Sequence, residues 1–153
     1  IPPGRLLPAA QHWPELPDKM LLLHGRVDFA QHYVLSAMLA TSLGGRLTEA
    51  AGLYKELLDA SPVGQGSGFS FNDIAADKAG NRFGQRARLQ PMDLQARAAE
   101  GRTDDYFMPD VSDLPQFLSQ QALQQRFGGV GSSTYNEMLG HIDARVDQLA
   151  VLR

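Results

Sequence analysis

The apolar positions of the chain recur at helical spacing, and this pattern predicts an all-α fold. Between Tyr135 and Leu149, for example, apolar side chains return every three or four residues, as in a helix with one face in a core. No run alternates apolar and polar residues as a half-buried strand would. With the turn signals between them, the periodic stretches predict a compact single-domain bundle of five or six helices, at about 18–43, 47–60, 71–83, 90–102, 113–127 and 134–149.

Capping residues indicate where several of these helices begin. Asp18 is expected to cap the first helix, since an aspartate side chain can accept hydrogen bonds from the free backbone N–H groups of the first turn. Ser70 followed by Asp73 resembles a capping box that opens the third helix. Asp113 is expected to cap the fifth helix, and Thr134 belongs to a second capping box that opens the last one.

The first seventeen residues differ in composition from the rest. Residues 1–17 contain five prolines, which favours an extended arm over a helix. Residues 18–153 are predicted to form one all-α domain, because a chain of 153 residues of which 43% are apolar suits a single core.

Composition and charge exclude several functional classes. The net charge is −3 and the basic residues do not cluster, so the chain lacks the basic face that nucleic acids require, and no nucleic-acid partner is expected. There is no cysteine, which excludes disulfides and thiolate metal ligands. The longest apolar stretch, 33–43, contains polar residues and is far shorter than the roughly 20 residues of a membrane-spanning helix, so no transmembrane segment is predicted.

The predicted first helix carries ionisable residues in apolar surroundings. Its apolar side chains are spread around most of the cylinder, which predicts a buried helix. His24, Asp28 and His32 follow at four-residue steps, so they are expected to share one face. Because an unpaired buried charge is strongly unfavourable, partners for this face are expected on neighbouring helices.

Carboxylates in the next two helices are the candidate partners. Glu56 and Asp59 lie on the second helix, and Asp73 and Asp77 are one turn apart on the third. One hypothesis is a structural network in which Lys55 neutralises a carboxylate. Another is a site for a divalent cation such as Zn²⁺, Mn²⁺ or Ca²⁺, because histidine and carboxylates on facing helices are how bundles build metal sites. The candidate ligands are Asp28, His32, Glu56, Asp59, Asp73 and Asp77.

A catalytic site is the remaining hypothesis. Glu56 would then be an acid whose pKa is raised by burial, as in enzymes that cleave glycosidic bonds, and His32 would be a general base oriented by a carboxylate. Such a site must open to a cleft, whereas a structural network should be closed and fully paired. We favour the network, in which Lys55, His32 or backbone N–H groups hold Glu56 ionised with a depressed pKa.

Four short motifs follow one another between residues 28 and 84. They are Asp-x-Ala-Gln-His-Tyr, Lys-Glu-x-x-Asp, Gly-x-Gly-Phe-Ser-Phe-x-Asp and Asp-x-Ala-Gly, beginning at Asp28, Lys55, Gly66 and Asp77. In order and spacing the stretch 28–84 resembles the YfiM-type family of small bacterial envelope lipoproteins, and more distantly the VanZ-like proteins. Residues 85–153 lie outside the resemblance and are expected to form a helical extension.

The resemblance implies a cellular location more than a chemistry, because these families are mostly described without an established activity. It implies a periplasmic or outer-membrane-associated protein whose partners are envelope components or another envelope protein. The expected function is therefore an envelope accessory or binding protein with a polar cluster where the first three helices meet. The alternative is a hydrolase, either metal-dependent or cleaving peptidoglycan glycan with Glu56 as the acid.

Overall fold

The structure, a computed structural model, describes residues 20–60, 68–101 and 103–153. It is all-α, which confirms the predicted fold class. The arm at 1–17, the cap at Asp18 and most of the loop before Ser70 lie outside the described residues. Six α-helices are found in the described part of the chain: α1 (Val27–Leu43), α2 (Gly45–Ala60), α3 (Phe71–Leu89), α4 (Pro91–Glu100), α5 (Gln120–Phe127) and α6 (Ser133–Val146).

The first helix begins later than predicted, at Val27, because a tight turn precedes it. Leu23 and Arg26 exchange backbone N–H···O hydrogen bonds of 3.0 and 2.9 Å. Between them His24 and Gly25 have φ angles of 49° and 72°, in the left-handed region. Residues in that region cannot continue a right-handed helix, so the predicted helical start well before this turn is wrong.

α1 packs most closely on α3, across two glycines. A Cβ atom added to Gly80 would lie 2.0 Å from the backbone oxygen of Tyr33, and one added to Gly84 would lie 2.2 Å from that of Ala37. Only glycine therefore allows the two helix backbones to approach this closely. The approach brings the polar residues of α1 against those of α3.

The outer face of α1 is exposed, which corrects the expectation of a helix buried all round. Val34, Leu35 and Met38 all face solvent, and Met38 is 63% exposed. No described helix covers this face. The central helix is α3, which packs against α1, α2, α4 and α6.

α5 begins at Gln120, not near Asp113 as predicted. The chain just before it is extended and pairs with the residues that lead into α3: Phe69 and Leu118 exchange backbone hydrogen bonds of 2.7 and 2.8 Å. The cap is Ser119, whose Oγ accepts from a backbone N–H of the first turn. Asp113 instead makes two 2.7 Å hydrogen bonds to the guanidinium group of Arg145.

One core joins both halves of the chain. The aromatic rings of Phe69, Phe71, Phe127 and Tyr135 pack together with centroid separations of 4.9–6.2 Å. Residues 85–153 therefore belong to the same core as the stretch that carries the motifs. α6 is capped by Ser132, slightly earlier than the predicted capping box.

Candidate functional site

Polar side chains from three helices meet at one buried point. His32 comes from α1, Glu56 from α2, and Asp73 and Asp77 from α3; we call these four residues the His/carboxylate cluster. One donor atom from each of His32, Glu56 and Asp73 lies within 4.8 Å of the other two. Glu56 is 0% exposed, and His32 and Asp73 are buried too. The structure thus brings together four of the six candidate ligand residues that the sequence predicted.

Helical periodicity explains why these residues face one another. Asp73 and Asp77 are one turn apart on α3, and His32 and Ser36 are one turn apart on α1, so each helix presents a short polar stripe. Ser70 caps α3 by accepting from the backbone N–H of Asp73 at 3.1 Å, which is one of the two hydrogen bonds of the predicted capping box. The backbone N–H of Ser70, which the box would pair with Asp73, donates to Glu56 instead. The cap therefore fixes the turn of α3 on which the cluster begins.

The imidazole of His32 is held in a defined orientation. Its Nδ1 lies 3.1 Å from Oδ1 of Asp77, which also accepts a 2.7 Å hydrogen bond from the hydroxyl of Ser36. Its Nε2 points towards Asp73, 3.7 Å from Oδ2. Burial lowers the pKa of His32, but the hydrogen bond to Asp77 and the charges of Asp77 and Asp73 outweigh it, so the pKa is raised overall.

Glu56 is only half paired. Its Oε2 accepts a 2.9 Å hydrogen bond from the backbone N–H of Ser70, but its Oε1 has no hydrogen-bond partner among the described residues. The Nζ of Lys55 is 3.6 Å from Oε1, too far for a hydrogen bond. Burial raises the pKa of Glu56 to about 7, and the expectation of a depressed pKa is wrong because desolvation outweighs the Ser70 hydrogen bond.

The two aspartates of the cluster are also incompletely paired. Within the described ranges, Oδ1 of Asp73 and Oδ2 of Asp77 are buried without a hydrogen-bond partner. Burial raises the pKa of Asp73. Glu56 and Asp73 are buried, as in a structural network, but His32 and Asp77 line a cavity between α1 and α2. A structural network should also be fully paired, and this cluster is not. Buried polar atoms without partners are uncommon in native proteins and call for an explanation.

The other nominated residues lie elsewhere. Asp28 pairs with Arg26, which lowers the pKa of Asp28, and its side chain is 43% exposed. Asp59 pairs with Lys55 at 2.7 Å. His24 is not on α1 at all and lies 3.3 Å from the backbone oxygen of Met108. The expectation that His24 shares a helix face with Asp28 and His32 is therefore wrong.

Two residues that contribute to the site were not predicted from the sequence. Ser36 lies one turn after His32, so the period that linked His32 to the helix stripe could have found it. Gly52 of α2 lies against Asp77: a Cβ atom there would be 2.6 Å from Oδ2. No short-range pattern marks Gly52, because its role depends on the packing of α2 against α3.

The cluster has the composition of a metal centre. One imidazole nitrogen and two carboxylate oxygens suit Zn²⁺ or Mn²⁺ better than Ca²⁺, which prefers six to eight oxygen ligands. In a tetrahedral zinc site, two ligand atoms lie roughly 3.4 Å apart. The 3.7 Å between Nε2 of His32 and Oδ2 of Asp73 is close to that value.

Comparison with models of protein families, with curated proteins and with solved structures finds no match to this chain. The resemblance of the stretch 28–84 to YfiM-type lipoproteins stays a prediction. Among the described helices, none is both long and apolar enough to cross a membrane.

Proposed function

We propose that this protein is a divalent-cation-binding protein whose site is formed by His32, Glu56 and Asp73, with Zn²⁺ as the preferred ion. The observation that carries the proposal is the pairing of His32 with Asp77. Histidines that bind metals commonly donate their second ring N–H to a carboxylate, which fixes the tautomer and leaves the other nitrogen free as a ligand. Here Asp77 pairs with Nδ1, and Nε2 faces the carboxylate of Asp73.

Charge balance supports the same conclusion. The cluster holds three carboxyl groups and one imidazole, and Lys55, the nearest lysine, makes its hydrogen bond to Asp59. Without an ion, the pKa of Glu56 lies at about 7, so Glu56 is only partly ionised at neutral pH, and Oε1 of Glu56 and Oδ1 of Asp73 stay unpaired in the described structure. A divalent cation would supply both the missing charge and the missing partner.

The ligand geometry needs little change to accept an ion. The three donor atoms lie within 4.8 Å of one another, so side-chain movements of roughly an ångström would bring them to the spacing of a tetrahedral zinc site. Three protein ligands leave one coordination position for water or another ligand. Backbone movement is not required, since Ser70 and Asp77 already hold Glu56 and His32.

The test is calorimetric titration of chelator-treated protein with ZnCl₂, MnCl₂ and CaCl₂. Wild type should bind zinc, and His32→Ala and Glu56→Gln should each weaken binding by about ten-fold or more, as for the loss of a ligand. Asp59→Asn is the matched control, because Asp59 lies on α2 three residues beyond Glu56 and pairs with Lys55 instead. Absence of zinc binding at millimolar concentration, or equal binding by all four proteins, would refute the proposal.

Thermal unfolding gives a second readout. A ligand of the native state stabilises by mass action, about 2.7 kcal/mol when its concentration is 100 times the Kd. Chelation should therefore lower the Tm of the wild type, and zinc should restore it. A Tm that changes neither with chelation nor with added zinc would contradict the proposal independently of calorimetry.

The cellular setting is the second part of the proposal. We place the protein in the bacterial envelope, as an accessory or binding protein, and the support for this is the motif order between residues 28 and 84. Fractionation of a bacterium that expresses the natural protein tests it, with the envelope fraction as the expected location. Recovery in the cytoplasmic fraction alone would contradict it.

A metal-dependent hydrolase is the second candidate. The observation in its favour is a cavity of about 270 Å³ between α1 and α2 whose lining includes His32 and Lys55. A site with three protein ligands would also leave a coordination position for water. The full burial of Glu56 weighs against the glycan-cleaving form, because a catalytic acid must contact the glycosidic oxygen. Zinc-loaded protein incubated with peptidoglycan and with simple esters and amides decides the matter: turnover that Asp59→Asn retains and Glu56→Gln loses would establish the hydrolase.

A further inference from the structure

A second cavity lies on the other side of Gly52, between α2, α3 and α6. Its volume is about 270 Å³, and we call it the α2–α6 cavity. An apolar cavity of about 150 Å³ is enough to bind benzene, so this one has room for a small aromatic or aliphatic molecule with substituents. The cavity is distinct from the one between α1 and α2, although Gly52 and Asp77 line both.

The wall of the α2–α6 cavity is mostly apolar. Leu53, Ile74 and Leu139 come from the three helices that surround it. A site with apolar walls and a few placed polar groups is the usual form of a small-molecule pocket. What distinguishes this cavity from a packing defect is therefore its polar groups.

Two polar atoms of residues in the wall lack partners. Tyr135 is 2% exposed, and its hydroxyl group has no hydrogen-bond partner in the part of the chain that the structure describes. The same holds for Oδ2 of Asp77, which lies against Gly52. An unmade hydrogen bond at a buried hydroxyl or carboxylate is costly, so a molecule in the cavity that reaches both groups would gain from supplying their partners.

The charges around the cavity favour an uncharged molecule. Lys78 is held by two hydrogen bonds, of 2.9 and 3.0 Å, to the carboxylate of Asp143. Glu49 and Arg46 line the rim with opposite charges. An anion would be repelled by Asp77, and the basic side chains in the wall oppose a cation. The smallest uncharged group that can both donate to a carboxylate and accept from a phenol is a hydroxyl.

We infer that the α2–α6 cavity binds a neutral, hydroxyl-bearing apolar molecule, with Tyr135 and Asp77 recognising the hydroxyl and Leu53, Ile74 and Leu139 contacting the apolar body. None of the three proposed metal ligands lines this cavity, so the inference does not require a bound cation, although Asp77 also holds His32.

Phenol and toluene are the probes, because they have nearly the same shape and differ in the hydroxyl group. Titration of the full chain, followed by calorimetry and by amide chemical shifts, should show phenol binding about ten-fold more tightly than toluene, the worth of one good hydrogen bond. Tyr135→Phe should remove most of this preference and leave toluene binding unchanged. Equal affinity for the two probes, or no binding of phenol at millimolar concentration, would overturn the inference.

A matched pair of cavity-narrowing variants locates the bound probe. Leu139 lines the α2–α6 cavity and Leu39 lines the cavity between α1 and α2; both leucines are partly buried. Leu139→Phe should abolish phenol binding, whereas Leu39→Phe should retain it. The reverse result would assign phenol to the other cavity and overturn the inference. Circular dichroism confirms that each variant is folded, and Tyr135→Phe serves as the test if Leu139→Phe is not.

Discussion

Glutamine in place of Glu56 should stabilise the protein at alkaline pH when divalent cations have been removed. Glu56 is fully buried, and burial raises its pKa to about 7. Its ionised form is therefore the unfavourable one in the folded state. Glutamine has nearly the same shape and can still accept the hydrogen bond from the backbone N–H of Ser70, so the substitution removes the charge and little else.

The magnitude follows from the difference between the folded and unfolded pKa values. A pKa of about 7 in the folded state against 4.5 for an ordinary glutamate, at about 1.4 kcal/mol per pH unit, corresponds to roughly 3 kcal/mol. Between these two values the folded protein binds more protons than the unfolded chain. The free energy of unfolding of the wild type should therefore fall as pH rises from 4.5 to 7, and level off above 7.

Urea unfolding in chelator at pH 4 and at pH 8 measures the effect. The wild type should lose roughly 3 kcal/mol more than Glu56→Gln over this interval. Glu137→Gln is the control for the loss of one negative charge, because Glu137 is exposed on α6, and it should follow the wild type. If the wild type and Glu56→Gln show the same change with pH, Glu56 is not the buried, weakly paired group described above.

His32 and Asp73 also make the folded state less stable as pH rises, but both are present in the wild type and in Glu56→Gln. The raised pKa of His32 gives stability that is fully present below its unfolded pKa and is lost as pH rises through the folded one. The raised pKa of Asp73 likewise makes its ionisation unfavourable in the folded state. Comparison of Glu56→Gln with the wild type at each pH therefore isolates Glu56. Added zinc should reverse the trend in the wild type, because the ion competes with protons for its ligands.

Three further substitutions, with Gly140→Ala as a control for the first, test the packing and pairing around the cluster. Gly80→Ala should destabilise the protein by about 1–3 kcal/mol, since its Cβ would lie 2.0 Å from the backbone oxygen of Tyr33. Gly140→Ala, whose Cβ would have nothing within 4 Å, should stabilise α6 by up to about 1 kcal/mol. Equal urea midpoints for the two variants would contradict the close approach of α1 and α3. His32→Ala in chelator should lower the free energy of unfolding by roughly 1–3 kcal/mol, because Asp77 loses one of its hydrogen-bond partners. An unchanged melting curve would argue against the buried pair. Ser70→Ala should cost about 1 kcal/mol as the loss of an N-cap while leaving the pH dependence of Glu56 intact, which urea titrations at two pH values can check.

Much of the fold is readable from local signals. The start of α3 follows from Ser70 and Asp73 three residues apart, and the observed hydrogen bond is the one that a capping box predicts. Three members of the cluster, His32, Asp73 and Asp77, could be nominated because their helical spacing sets polar groups among apolar ones. Such features depend on residues within one or two turns of each other, which is the range over which sequence patterns are informative.

The start of α1 depends on contacts that no local pattern contains. The apolar run before Val27 is compatible with a helix, but the backbone N–H of His24 donates a 2.7 Å hydrogen bond to Asp104, and the imidazole lies 3.3 Å from the backbone oxygen of Met108. These contacts span about eighty residues and support the left-handed turn. The start of α5 was misplaced for a similar reason, since residues 115–118 pair with the chain before α3.

The pKa of Glu56 depends on its burial and on the distances to its partners. Adjacency in the sequence favoured Lys55 as its partner, yet adjacent residues on a helix point about 100° apart, and Lys55 reaches Asp59, one turn on, at 2.7 Å. What remains for Glu56 is one backbone N–H, the charge of Lys55 at 3.6 Å and full burial, and burial prevails. Glu56 is half paired and lies near the imidazole of His32 and the buried carboxylate of Asp73. Such an arrangement stabilises the contact between the helices only weakly. A divalent cation between His32, Glu56 and Asp73 would take one ligand atom from each and offset their negative charge, and this is the physical reason for preferring a bound cation to a closed network.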